Sequence, residues 1–298
     1  MRNTLLPTNY MITFAGIFVV SVIIWVYFQG VQTVLFIGQM NLYHFFGACF
    51  IYLLSHILRM LRLVMLSFDE RPVSWRLVFV HAMTAFPSSF LPYKIGEVLR
   101  FSGFFHVLVK PHKAVAVWFV ERLGDVVTII LFTVSLFAFN IGMNDNMRNT
   151  FVVFIFLGIL MMLGVVSVNH FFAYLHHYLI TYTSSNRGLL LLKVVHELRY
   201  IITSARKTLE GRFLAILLLS WLIWICELLA ISLFVNQLVD DTTIPTLFYF
   251  GLVSGISQNL NTDGIYGFGL YQASALITLP VIIYLLYIGG RNIFAQNR

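Results

Sequence analysis

Uninterrupted apolar stretches, without the alternation of a strand, occupy positions 10–28, 42–66, 115–141, 150–169, 213–238 and 264–288. A helix needs about 20 apolar residues to cross a bilayer, so these stretches predict an all-α polytopic membrane protein with about six spans. Two further apolar stretches suit a crossing poorly. Residues 73–91 contain Pro87, which is predicted to interrupt the backbone together with Pro92, and they lead into Lys94, Gly96, Glu97 and Arg100. Residues 244–260 are short and end in Asn261-Thr262-Asp263-Gly264-Ile265-Tyr266-Gly267. Irregular backbone at membrane depth is tolerated only inside protein or beside a wet cavity, so both stretches are predicted to be re-entrant hairpins.

Lys and Arg then set the orientation. With a cytoplasmic N-terminus and two hairpins that return to the side they enter from, 18 of the 19 basic residues fall on the cytoplasmic side, Arg148 excepted. That asymmetry is the positive-inside pattern, and it places both termini in the cytoplasm. Residues 10–141 and 150–288 then each hold three spans and one hairpin, with opposite orientation, which predicts an inverted repeat within a single transmembrane domain covering residues 1–298. Residues 171–212 alternate Lys193, Glu197 and Lys207 with Leu192, Val195, Leu198 and Ile202, the pattern of an amphipathic helix lying at the cytoplasmic interface. The first stretch, 10–28, is followed by no small-x-small cleavage pattern and is read as a retained span rather than a signal peptide.

Composition narrows the classes. With 59% hydrophobic and only 10% charged residues over 298 positions and a mean hydropathy of +0.87, a soluble enzyme and a disordered chain are both excluded. Cys49 and Cys226 lie inside apolar stretches, so no disulfide scaffold is expected. The net charge of +7 is accounted for by cytoplasmic loops and requires no nucleic-acid partner.

Candidate chemistry gathers around the first hairpin. Gly96 allows close approach, Glu97 and Arg100 share a face at i, i+3 of a new half-helix, and that helix's N-terminus could receive a phosphate. Glu121, Arg122 and Asp125 occupy one helical turn, and these acids can neutralise Arg59, Arg62, Lys94 or Arg100 while no anion is bound. Glu227 falls near the centre of its apolar stretch, where an acid costs about 2.5–3.5 kcal/mol, so it must face a partner or a wet cavity. Asp263 occupies the tip of the second hairpin. Lys110, Lys113, Arg71 and Arg76 are read as interface anchors, and His56 and His81 as hydrogen-bonded core residues. No Walker loop, His-Glu-x-x-His or Gly-x-Ser-x-Gly pattern occurs. Neither a metal, a cofactor nor a catalytic residue is expected.

The run from Arg59 through Pro87, Gly96-Glu97 and Arg100 to Glu121-Arg122-x-x-Asp125 resembles the flippase-like transmembrane domain of bacterial lysylphosphatidylglycerol synthases and of stand-alone proteins of that family. The C-terminal part departs from it. Gly264 and Gly267 remain where the family has Pro-Gly-Gly-x-Gly, and Gln272 stands where an acid often follows. The resemblance implies a protein of the bacterial inner membrane that moves a phospholipid or an isoprenoid-phosphate-linked glycolipid between leaflets. The pocket for the headgroup would be formed by Arg59, Arg62, Lys94, Gly96, Glu97, Arg100, Glu121, Arg122, Asp125, Glu227, Asp263, Gly264 and Gly267. Envelope-synthesis enzymes or a second copy of the chain are the implied partners beside membrane lipids. No aminoacyltransferase domain follows Arg298, so lipid aminoacylation is not expected. A membrane glycosyl- or acyltransferase, and a non-transporting scaffold for envelope synthesis, are the alternatives.

Overall fold

The computed structural model describes residues 8–39, 41–68, 71–90, 95–108, 110–139, 141–182, 186–235, 243–254 and 268–296. These form ten α-helices and no strand: α1 Thr8–Gln39, α2 Leu42–Leu66, α3 Arg71–Phe90, α4 Ile95–Val107, α5 Pro111–Ala138, α6 Asp145–Tyr182, α7 Asn186–Leu209, α8 Phe213–Val235, α9 Ile244–Ser254 and α10 Phe268–Gln296. Lys94, Asp263, Gly264 and Gly267 lie outside the described residues, as do the tips of both predicted hairpins.

Local chemistry sets the boundaries. Asn41 caps α2, its side chain accepting the Tyr43 N–H at 3.1 Å. The helix ends at Ser67, whose hydroxyl donates to the Leu63 carbonyl at 2.8 Å and meets the Ser74 hydroxyl of α3 at the same distance. Pro111 opens α5 at a position where a missing N–H costs nothing. Between α7 and α8, Gly211 takes φ +71°, the left-handed conformation that lets a helix stop and reverse. The Arg212 guanidinium then donates to the Met65 carbonyl at 3.1 Å, fastening this turn to the end of α2.

Three expectations change. α1 and α6 extend well past the apolar stretches 10–28 and 150–169, because nothing in the flanking polar sequence breaks the helix. The segment 171–212 is therefore divided: its first part continues α6 to Tyr182, and α7 is the separate helix. Pro87 does not interrupt α3, which continues to Phe90. Hydroxyls occupy carbonyls of the surrounding turns: Ser88 donates to the Thr84 carbonyl at 2.7 Å and Ser89 to that of Phe86 at 2.9 Å. The proline stands in the last turn of α3 and removes only the backbone bond to the Met83 carbonyl, so the helix need not end there.

The helices pair in a legible order. α2 and α8 run antiparallel, since Gly47 lies against Leu233, Arg59 meets Glu227 and Arg62 meets Ser220. α3 is antiparallel to α2, with Ser74 beside Ser67 and His81 beside His56. Gly96 packs on the Ser88 backbone, so α4 folds back along α3 as a helical hairpin; a Cβ at position 96 has no room. α5 then runs antiparallel to α4, with Phe101 against Trp118 at 5.2 Å and Arg122 against Glu97. α1 covers α3 through Phe18 and Trp25 on Phe86. α7 packs on α5 with Val195 and Ala205 buried and Tyr200 edge-on to His112 at 4.1 Å, leaving Lys193, Glu197 and Lys207 exposed.

The outward faces of α1 and α6 are apolar. Ile23 and Phe28 on α1, and Phe156 and Leu160 on α6, project away from the other helices, as expected of faces that meet lipid. α2 and the stretch Phe213–Phe234 of α8 are each long and apolar enough to cross a membrane. Helices gain little from the hydrophobic effect in lipid and hold together through close packing and interhelical hydrogen bonds. Small residues accordingly mark the tightest contacts: Gly96 on Ser88, Gly124 on Ser220 and Gly158 on Ile130.

Candidate functional site

Four helices bring charges into one interior. α2 contributes Arg59 and Arg62, α4 contributes Glu97 and Arg100, α5 contributes Glu121, Arg122 and Asp125, and α8 contributes Ser220 and Glu227. The spacing within each helix explains the convergence: i, i+3 on α2 and α4, i, i+4 for the two acids of α5 and i, i+7 on α8 each point side chains to one face. Gly124 makes the α5–α8 contact possible. A Cβ there would stand 2.6 Å from Ser220 Oγ, and without this approach Arg62 could not reach both helices.

The inner part is buried. Arg62 is fully buried; its Nη1 donates to Asp125 Oδ1 at 2.6 Å and to Ser220 Oγ at 2.7 Å, and its Nη2 to Glu121 Oε1 at 2.9 Å. Arg100 Nη2 donates to the same oxygen of Glu121. Two arginines thus share one buried acid, and Asp125 supplies the second negative charge. Only arginine can hold three partners on two helices in this way, because its planar fork presents several donors at fixed angles.

Around this inner part lie two half-buried ion pairs. Arg59 Nη2 donates to Glu227 Oε1 at 2.5 Å, with the Ser55 hydroxyl 3.5 Å from the same oxygen. Arg122 donates to Glu97 through Nη2 and to Asp125 Oδ2 at 3.4 Å through Nη1, and Glu97 also lies 3.7 Å from Arg100. Side chains of the two outer pairs are 15–29% exposed, against 0–9% for Arg62, Arg100, Glu121 and Asp125. Polar capacity is left over. The Nε atoms of Arg59, Arg62 and Arg100 and Oε2 of Glu121 are buried without a hydrogen-bond partner among the described residues, which is uncommon in a folded interior. Four arginines and four acids make the set electrically neutral.

Of the thirteen residues expected to form a pocket, nine come together here: Arg59, Arg62, Gly96, Glu97, Arg100, Glu121, Arg122, Asp125 and Glu227. The other four, Lys94, Asp263, Gly264 and Gly267, lie outside the described residues. Sequence reasoning left Glu227 without a partner and missed Ser55 and Ser220. The spacing of Ser55, Arg59 and Arg62 on α2, and of Ser220 and Glu227 on α8, was the available signal: polar residues on one stripe of an otherwise apolar helix.

No curated protein and no solved structure matches the chain. The family model for the lysylphosphatidylglycerol synthase TM region matches residues 13–257, which include every member of the charged set. Apolar helices and this match place the protein in a membrane. The chain belongs to the lysylphosphatidylglycerol synthase TM region family.

Proposed function

We propose that the protein moves an anionic lipid, a phospholipid or an isoprenoid-phosphate-linked glycolipid, between the leaflets of the bacterial inner membrane. The observation that carries this reading is the neutral set of four arginines and four acids inside a membrane protein. Each charge costs about 2.5–3.5 kcal/mol to insert at a helix centre, and a buried ion pair is often no more stable than apolar side chains of the same volume. Such a set is expensive as scaffolding and useful where charged groups must be received.

The two tiers divide the labour. Arg62, Arg100, Glu121 and Asp125 hold α2, α4, α5 and α8 together. A phosphate exchanges with Glu227 on Arg59, or with Glu97 on Arg122, where the side chains are partly accessible. The chains of the lipid stay in the bilayer while the headgroup crosses through the interior. In this reading α3 and α4 form a re-entrant hairpin entered from the cytoplasm, α9 begins its inverted counterpart, and rocking of the two halves exposes the site to each leaflet in turn.

The direct test is exchange of fluorescent phospholipids and of sugar-linked isoprenoid phosphates in liposomes holding the purified protein. A rate above that of protein-free liposomes for at least one of these lipids is expected. Rates equal to the control throughout would sink the reading and leave a transferase or a scaffold. Within that assay Arg122→Ala is expected to fold and to lose about ten- to a hundredfold in headgroup affinity, the loss of one charge-assisted hydrogen bond of about 1.5–3 kcal/mol. Lys110→Ala and Lys113→Ala, at the start of α5 and outside the charged set, are expected to leave the rate within about twofold of wild type. Equal tolerance of all three substitutions would make Arg122 an interface anchor.

Orientation has its own measurement. In a variant without Cys49 and Cys226, Asn144→Cys and Asp241→Cys should react with an impermeant thiol reagent from outside intact cells. Arg71→Cys, Asn186→Cys and Gln296→Cys should react only after permeabilisation. Outside labelling at position 296 would end the inverted-repeat arrangement.

A further inference from the structure

His56 of α2 and His81 of α3 face each other, with Nδ1 of the first 3.1 Å from Nε2 of the second, and both rings are more than nine-tenths buried. Their outer nitrogens, His56 Nε2 and His81 Nδ1, have no hydrogen-bond partner among the described residues. A buried imidazole nitrogen normally has one; with one N–H donated across the contact, one outer nitrogen carries the second ring's N–H and the other is an open lone pair, a single position for a proton.

The surroundings are charged on one side and aromatic on the other. α2 itself presents Arg59 one turn after His56, and Tyr52 edge-on to the ring at 4.9 Å. α4 presents Arg100 with Glu97 beside it, and α5 presents Glu121. From α8 comes Glu227, held by Arg59, and from α10 comes Tyr271, packed on Tyr52 at 5.5 Å. α1 meets α3 through the apolar Phe18 and Trp25, and on α3 the Thr84 hydroxyl is turned to the Val80 carbonyl. Arg59, Arg100 and Glu121 are the charges that bear on both rings or on His81.

The charged set sums to zero before any ligand arrives. A phosphodiester brings one negative charge into this interior, and an uncompensated charge there is costly. A proton is the smallest compensating cation. In the empty site no excess negative charge calls for a proton, since Arg59 and Arg100 already answer Glu227 and Glu121. Once a phosphate lies against Arg59 one negative charge is in excess, and one added proton answers it by turning the His56–His81 contact into a charge-assisted hydrogen bond between a cationic donor and a neutral acceptor.

Resting on the translocation reading, we propose that the His56–His81 pair takes one proton from water each time the site binds an anionic phosphate headgroup. Lipid and proton then travel together with no net charge, so transport responds to a pH difference across the membrane and not to voltage.

The experiment uses the purified full chain in dodecyl maltoside, titrated with dihexanoyl phosphatidylglycerol, whose phosphodiester keeps one charge between pH 6 and 9. Calorimetry in two buffers of different ionisation enthalpy counts protons. The expected result is uptake of about one proton per lipid bound, with affinity falling about tenfold per pH unit over the range where uptake is complete. The double variant His56→Gln with His81→Gln keeps a hydrogen bond between two amides, and is expected to bind with no uptake and no pH dependence. Should it not fold, His56→Gln and His81→Gln alone are each expected to lower the uptake at pH 7. Binding by wild type without uptake, or undiminished uptake in these variants, overturns the proton site and leaves the translocation reading standing. Failure of the wild type to bind the lipid overturns the pairing of this proton with a phosphodiester headgroup, and the translocation reading then stands or falls with the liposome exchange.

Discussion

Arg62→Ala is expected to destabilise the folded protein by about 3–5 kcal/mol, the cost of leaving a buried partner without its counter-charge. Arg62 holds Asp125 at 2.6 Å, Ser220 at 2.7 Å and Glu121 at 2.9 Å, so its removal strands groups on two helices at once. Arg100 still faces Glu121, and Arg122 reaches Asp125 only at 3.4 Å. Arg62→Lys should recover little, because a single ammonium cannot serve both acids and Ser220 with the geometry of a guanidinium. The double change Arg62→Met with Asp125→Leu removes one charge of each sign, keeps the remaining set neutral, and is expected to regain most of the loss. Melting temperature in detergent and abundance in the membrane are the measurements. An Arg62→Ala protein that melts like wild type would show that the inner charges do not bind the helices together.

Glu227→Gln is expected to leave abundance and melting near wild type while slowing translocation at least tenfold. The amide keeps the volume and an acceptor for Arg59, but it cannot reclaim the guanidinium from a bound phosphate as a carboxylate does. A charge-assisted bond contributes about 1.5–3 kcal/mol, so the headgroup should be held about ten- to a hundredfold more tightly and released correspondingly late. Glu227→Leu has a different signature: Arg59 loses its partner inside an apolar span, and the fold itself suffers. Rates measured beside melting curves separate the two. A normal rate in the Gln variant would remove Glu227 from the cycle and leave Glu97–Arg122 as the pair that opens.

Hydropathy located the helices where composition and helix end together. The predicted 42–66 coincides with Leu42–Leu66 because Asn41 and Ser67 bound an apolar run, and 115–141 and 213–238 lie within a few residues of α5 and α8. It failed at α6, because residues 170–182, where His170, His176 and His177 are set among aromatic and aliphatic residues, continue the helix past the apolar run, and a hydropathy window registers composition alone. Pro87 was misjudged because a proline this close to a helix end removes a single backbone bond and need not break the helix. The charged residues were legible as a group, since acids in apolar sequence are costly enough to require a purpose. Their pairing was not. That Arg59 answers Glu227 follows from the antiparallel register of α2 on α8, and that Arg62 answers Asp125 and Glu121 from the packing of α2 against α5; one residue of slip would turn these side chains about 100° away from their partners.

The order of synthesis makes this register a problem of timing. Arg59 and Arg62 leave the ribosome on α2 with no acid to meet. Glu121 follows Arg62 by 59 residues and Glu227 follows Arg59 by 168. At about 5–20 residues per second, α2 waits about 3–12 s for its first counter-charge and about 8–34 s for its last. During that interval its arginines must remain near headgroups or in the insertion machinery. On this timing α2 is expected to settle fully in the bilayer only when α5 arrives, so that the second helix made is among the last to settle.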